Sequence, residues 1–181
     1  MIPEAPLEQT ETGVVPIGEG WFVLNAQETR WYHRDGRGAV LWFADELFPQ
    51  VGVNLFVLEP GEPIGLYHWE TDQEDFLVLF GEAVRIIEGD ERPLRQWDFV
   101  HCPPETKHII VGAGNGPCAI LAIGAREHQV DGFQGGYTVD ETARRHGASA
   151  DRDTTDPHEA YAEIPPHRER TRYRDRWLPR D

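Results

Sequence analysis

Gly61-Glu62-Pro63-Ile64-Gly65-Leu66-Tyr67-His68-Trp69-Glu70-Thr71-Asp72-Gln73-Glu74-Asp75-Phe76-Leu77-Val78-Leu79-Phe80-Gly81 decides how this chain is read. His68 and Glu70 are two apart, and alternate residues of a strand point to one face, so both side chains can reach one point. Thr71-Asp72-Gln73 is a polar break. The apolar run Phe76 to Phe80 then reads as a second strand, with Glu74 at its mouth. A tight hairpin would bring Glu74 back beside His68, and Gly81 suits the turn that ends the run. Further on, Pro103-Pro104-Glu105-Thr106-Lys107-His108 leads into Ile109-Ile110-Val111, another strand-like run. His108 completes a site with the first segment if the sheet curls into a barrel. Histidine and glutamate are ligand types for a borderline divalent metal, and this donor list suits Fe, Mn, Ni, Co or Zn without selecting among them. The competing use is structural: hydrogen-bonded pocket histidines and solvated hairpin carboxylates in a barrel without metal.

The two segments, in this order, resemble the paired motifs of the cupin superfamily. His68 stands at the first histidine of the first motif, Glu74 at its glutamate and Gly81 at its closing glycine. Glu70 occupies the second histidine's place. In the second motif Pro103 and His108 match, Glu105 replaces a glycine, and Gly112 stands where asparagine is common. The resemblance covers roughly residues 40 to 125. It implies an all-β fold, the cupin double-stranded β-helix or jelly-roll-like barrel. It also implies one divalent transition metal on His68, Glu70, Glu74 and His108. For Glu70 three uses stay open: metal ligand, hydrogen-bond partner of a ligating histidine, or a carboxylate facing water. Tyr67 and Trp69 should point to the opposite side of the strand.

The remaining chain fits short strands joined by turns. Trp21 to Leu24, Thr29 to Tyr32, Ala39 to Phe43, Val53 to Leu58, Ala83 to Ile87, Asp98 to Cys102 and Cys118 to Gly124 read as strands. Glu88 to Glu91 reads as a hairpin turn. This predicts a barrel domain over residues 1–126. The extension, 127–181, holds two short helices and an Arg-rich arm. Asp140 caps the first helix and Gly147 stops it. Asp156 caps the second, Pro157 starts it and Pro165-Pro166 end it. Residues 127–139 and 147–155 read as loops. From His167 onward Arg168, Arg170, Arg172, Arg174 and Arg176 alternate with Glu169, Thr171, Tyr173, Asp175 and Trp177. A period of two means extended chain. An ordered arm would seat Tyr173 and Trp177 on the barrel while its arginines meet carboxylates, on the same subunit or a neighbour. The alternative is a frayed, solvated tail.

The 181-residue length suits one compact unit, and the net charge of −15 argues against nucleic acid and anionic membranes. No apolar run is long enough for a transmembrane helix. The N-terminal residues lack a secretory pattern, so a cytoplasmic setting is expected. Cys102 and Cys118 read as buried free thiols in that reducing compartment. His101 is a possible pocket residue, more commonly a satisfied core histidine. Trp42, Phe56, Phe76 and Phe80 are barrel core or pocket lining. The resemblance implies a metal-dependent enzyme, of dioxygenase or isomerase type, acting on a small molecule. The alternative is a non-catalytic barrel that binds or senses a small ligand, with or without metal. A homodimer is expected with either.

Overall fold

The computed structural model describes residues 1–43, 48–128, 134–164 and 168–178. Leu7–Thr10 (β1) and Gly13–Pro16 (β2) form a separate hairpin. Twelve further strands are described: Trp31–Arg34 (β3), Ala39–Trp42 (β4), Val51–Leu58 (β5), His68–Glu70 (β6), Glu74–Phe80 (β7), Glu82–Ile87 (β8), Asp90–Arg95 (β9), Phe99–Cys102 (β10), His108–Ala113 (β11), Cys118–Ala125 (β12), Gly135–Tyr137 (β13) and Arg168–Thr171 (β14). They build one sheet in the order β10-β7-β12-β5-β4-β3-β14 and another in the order β13-β6-β11-β8-β9. The two sheets face each other as an all-β, jelly-roll-like barrel.

Strand alternation explains which residues fill it. Phe56 and Leu58 of β5, Phe76 and Val78 of β7, Ile110 of β11, and Cys118, Ile120 and Ala122 of β12 all point inward and form the main core. Burial of such a side chain contributes about 1.5–3 kcal/mol. Cys102 and Cys118 are buried and unbridged, as expected. Gly81 turns β7 into β8 at φ 75, and a Cβ there would lie 2.6 Å from the Pro117 carbonyl oxygen. Gly112 has no room for the side chain common at that place, because a Cβ would run into the Glu59 carbonyl.

Both outer faces are also covered. Glu141–Arg145 (α1), capped by Asp140 whose side chain accepts from the Ala143 amide, places Ala143 against Tyr67, Ile86 and Ile109. Tyr67 therefore lies on the outer side of its sheet, as expected. Pro157–Ala160 (α2) starts at its proline with Asp156 as cap. The arm packs on its own chain: β14 pairs with β3, and the rings of Tyr173 and Trp177 lie 6.2 Å and 5.1 Å from that of the fully buried Trp31.

Several expectations are corrected. The period of two holds over Arg168–Thr171. Beyond it the chain turns at residues 175–176, with Arg176 at φ 78, and folds Trp177 back. Arg168, Arg172 and Arg174 contact rings and a backbone carbonyl, and the described ion pairs include none of them. Arg168 lies 4.2 Å from the Trp42 ring centre, and Arg172 Nε donates to the Glu11 carbonyl at 2.8 Å. Trp21 to Leu24 forms no strand. Trp21 and Val23 stay exposed, and Trp21 makes only an isolated bridge to Glu4. The expected loop at 127–139 contains β13, because β6 offers an open edge. Gly136 lets that backbone run against the Trp69 ring, 2.8 Å from where a Cβ would sit. Residues 129–133 of that stretch, Pro165-Pro166 and His167 lie outside the described residues.

Candidate metal centre

His68 and His108 face each other across the antiparallel β6–β11 pair. Glu74 reaches them from the other sheet, at the first residue of β7, where it is paired with Gly124 and Cys102. The polar break 71–73 is therefore a crossing between sheets and not the hairpin expected from the sequence. Buried Asp72 fixes that crossing, accepting from the His128 amide at 3.0 Å and the His128 ring at 2.6 Å.

Each histidine is pinned in the same way. Nδ1–H of His68 donates to the Leu66 carbonyl at 2.7 Å, and Nδ1–H of His108 donates to the Thr106 carbonyl at 2.8 Å. A backbone acceptor on Nδ1 leaves Nε2 as the nitrogen facing the cluster, the arrangement that presets an imidazole as ligand. His108 Nε2 donates to Glu74 Oε2 at 3.0 Å, and His68 Nε2 lies 3.9 Å from the same carboxylate. One ligand atom from each of His68, Glu74 and His108 falls within 4.8 Å of the others, so these three could hold a metal ion. Glu70 stands beside them, with Oε1 3.9 Å from His68 Nε2.

Burial and the charges of the cluster's own members set its electrostatics. Burial, aided by the charge of His108, drives the His68 pKa down to about 4, so its ring is neutral. Burial works against the His108 cation, but the Cys102 thiol and the Glu74 carboxylate outweigh it and raise its pKa well above the usual histidine range. Burial likewise opposes ionisation of Glu74, and His108 again reverses the balance and lowers it. Glu70 is pushed up to about 8 by burial first and by the Glu74 charge second. Two neutral-capable imidazoles and one or two carboxylates at one point fit a divalent transition ion.

The cluster opens into a cavity of 720 Å³. Trp42, Phe56, Phe76, Ile64 and Tyr137 form apolar walls, and Arg34 and Arg168 are its cations. Trp42, Phe56 and Phe76 thus line the pocket, whereas Phe80 packs on the outer side of the sheet with Trp31. His101 is corrected too. Val100 and Cys102 take the inward positions of β10, so His101 points out and bonds Asp75 at 2.7 Å. Arg34, Tyr137, Tyr161 and Arg168 were not foreseen as pocket residues. Alternation with the apolar Tyr32 would have placed Arg34 on the inner face of β3. Tyr137 and Arg168 depend on strand pairings that carry no local signal.

The Glu105 position departs from the motif in side chain but not in backbone. Glu105 adopts φ 66, the left-handed conformation a glycine takes without strain, and its amide donates to the Glu70 carbonyl at 2.7 Å.

Residues 54–124 match the family model described as a cupin domain. That match, within the two-sheet barrel that carries the inward His/Glu cluster, identifies a cupin domain over residues 54–124 of the chain. Solved structures similar to it include a putative sugar phosphate isomerase from Acidithiobacillus ferrooxidans, 30% identical with a TM-score of 0.45, where the match covers 48% of this chain and 58% of that one. A cupin-superfamily sugar phosphate isomerase from Silicibacter pomeroyi is 32% identical with a TM-score of 0.46, covering 52% and 62%. A cupin 2 domain-containing protein from Halorhodospira halophila is 22% identical with a TM-score of 0.44, covering 57% and 68%. The chain thus spans less than two thirds of the first two relatives. No curated protein matches it. No helix among the described residues is long and apolar enough to cross a membrane.

Proposed function

We propose that this cupin is a metal-dependent enzyme that transforms a small molecule bound in its cavity, with one divalent ion on His68, Glu74 and His108 and with Glu70 as a further ligand. The convergence of three donors of suitable type within 4.8 Å on the cavity wall carries the reading. An ion held there supplies Lewis-acid polarisation of a substrate oxygen or water. The chain's own groups do the rest. The Nδ1 bonds to Leu66 and Thr106 fix both rings. Trp42, Phe56 and Phe76 exclude water from the reacting region. The Glu70 carboxyl, with its pKa near 8, can hold or release a proton at neutral pH when it is not ligating.

Elemental mass spectrometry of the purified chain beside His68→Ala and His108→Ala tests the site. About one equivalent of metal that disappears in both variants is the expected result. Full stoichiometry in His108→Ala refutes the assignment. Absence of metal after reloading with Fe, Mn, Ni, Co and Zn replaces it with a metal-free ligand-binding barrel. The homodimer belongs to the same proposal. Trp97 and Phe99, exposed beside and on edge strand β10, offer apolar surface for it, and light scattering reads the mass.

A further inference from the structure

Arg34 and Arg168 are register partners on β3 and β14, so their side chains share one face of the sheet. That face lines the cavity. Like charges directly opposite each other destabilise a strand pair. A third cation, Arg37, adds to the field at Arg34, whose pKa falls to about 10, chiefly through burial. Among the described residues no carboxylate lies within ion-pair reach of Arg34 or Arg168, in a chain with a net charge of −15. Acidic side chains are abundant, yet the one that acts on Arg34, Glu62, does so weakly and from beyond ion-pair distance.

The two guanidinium groups are also held in place. Arg34 donates to the carbonyls of Ile64 at 2.9 Å and Arg37 at 2.8 Å and sits over the Phe56 ring, while its buried Nε has no partner. Arg168, at the exposed rim, lies over the Trp42 ring at 4.2 Å and the Tyr32 ring at 5.4 Å. No hydrogen bond among the described residues engages its guanidinium. Stacking fixes the plane of an arginine and leaves its edge donors free, the presentation suited to a carboxylate or phosphate.

We propose that the cavity is built for a small oxyanionic molecule, carboxylate- or phosphate-bearing, whose anionic group lies between Arg34 and Arg168 while its other end meets the His68, Glu74 and His108 wall. The inference rests on the reading of that wall as the reacting site. It deepens that reading by naming the substrate class. Both arginines lie outside residues 54–124, so this selectivity is added to the cupin domain by the segments that flank it.

Calorimetric titration of the full chain with succinate and with inorganic phosphate, in metal-loaded and metal-stripped protein, tests it. At least one probe should bind saturably, and which one separates carboxylate from phosphate recognition. Arg168→Gln should weaken binding about tenfold or more, the loss expected when a charged hydrogen bond is removed. Glu169→Gln, on the opposite face of β14, should bind as wild type. Metal content measured on the same samples should be equal in all three proteins. Saturable binding that persists in metal-stripped protein supports the arginine site even if the metal assignment fails. Absence of saturation by both probes, or equal affinity in Arg168→Gln, overturns the proposal. Arg168 is exposed on an edge strand, so its replacement leaves the fold intact.

Discussion

Metal uptake should expel about two protons per ion at pH 7. The perturbation is titration of a divalent ion into metal-free protein, and the magnitude follows from the four cluster residues. His68, with its pKa near 4, and Glu74, held low by His108, have no proton to lose at neutral pH. His108 is raised and carries its Nε2 proton to Glu74. Glu70, near 8, is about nine-tenths protonated at pH 7. Ligation needs His108 neutral and the carboxylates ionised, so release approaches two protons. The sign follows from the direction of these shifts. Raised pKa values mean that the metal-free protein binds extra protons near neutrality, so apparent metal affinity rises with pH. The rise is close to a hundredfold per unit near pH 7, and the slope declines once pH passes the Glu70 value. Calorimetry in buffers of different ionisation enthalpy counts the protons. Glu70→Gln should reduce the count by about one. Release of less than half a proton by the wild type at pH 7 would refute the description of the cluster.

Truncation after Gly147 strips β14, Tyr173 and Trp177 from the Trp31 face, and with them Ala148, Ala150 and Tyr161 from the opposite side. A fall in melting temperature of several degrees is expected, and an unchanged thermal scan would show that the arm contributes nothing. Trp177→Ala alone should cost about 1–3 kcal/mol for a half-buried ring, read by urea denaturation. At the left-handed Glu105, Glu105→Val should destabilise by about 1–2 kcal/mol while Glu105→Gly stays near neutral. Equal behaviour of the two variants in denaturant would remove the backbone argument. Gly81→Ala combines φ 75 with a contact at 2.6 Å and should cost about 2 kcal/mol or more, again measured by chemical denaturation.

The parts of the site legible in the sequence were those set by local periodicity. His68 and Glu70 share a face because strands alternate, and a charged residue opening an apolar run marked Glu74. The route between them was not legible. Thr71-Asp72-Gln73 reads equally as a hairpin or as a crossing, and the choice is made by Asp72 bonding His128, more than fifty residues away. His101 failed for a related reason. A four-residue strand of mixed residues has no clear phase until the packing of Val100 and Cys102 sets it. The helix caps were legible because Asp140 and Asp156 act on amides two or three residues away. β13 is illegible in the sequence: two of its three residues are glycines, which disfavour strands, and the segment is extended where β6 presents an edge. Arg168 reads from the sequence as part of an alternating arm, but its partner is illegible there, since acidic surface is plentiful while the aromatic Trp42 face is specific to the fold.

The two imidazoles belong to one sheet and Glu74 to the other. The cluster is therefore a rivet through the seam of the barrel at its open end, while Val78, Ile110 and Ile120 close the interior by contact alone. Within that rivet the hydrogen bond from His108 to Glu74 joins a side chain of one sheet directly to a side chain of the other. A cation bound by His68, Glu74 and His108 would join the same two sheets at the same point. The side chains proposed for the chemistry are thus also a polar link between the two halves of the barrel, set beside the apolar core that joins them elsewhere.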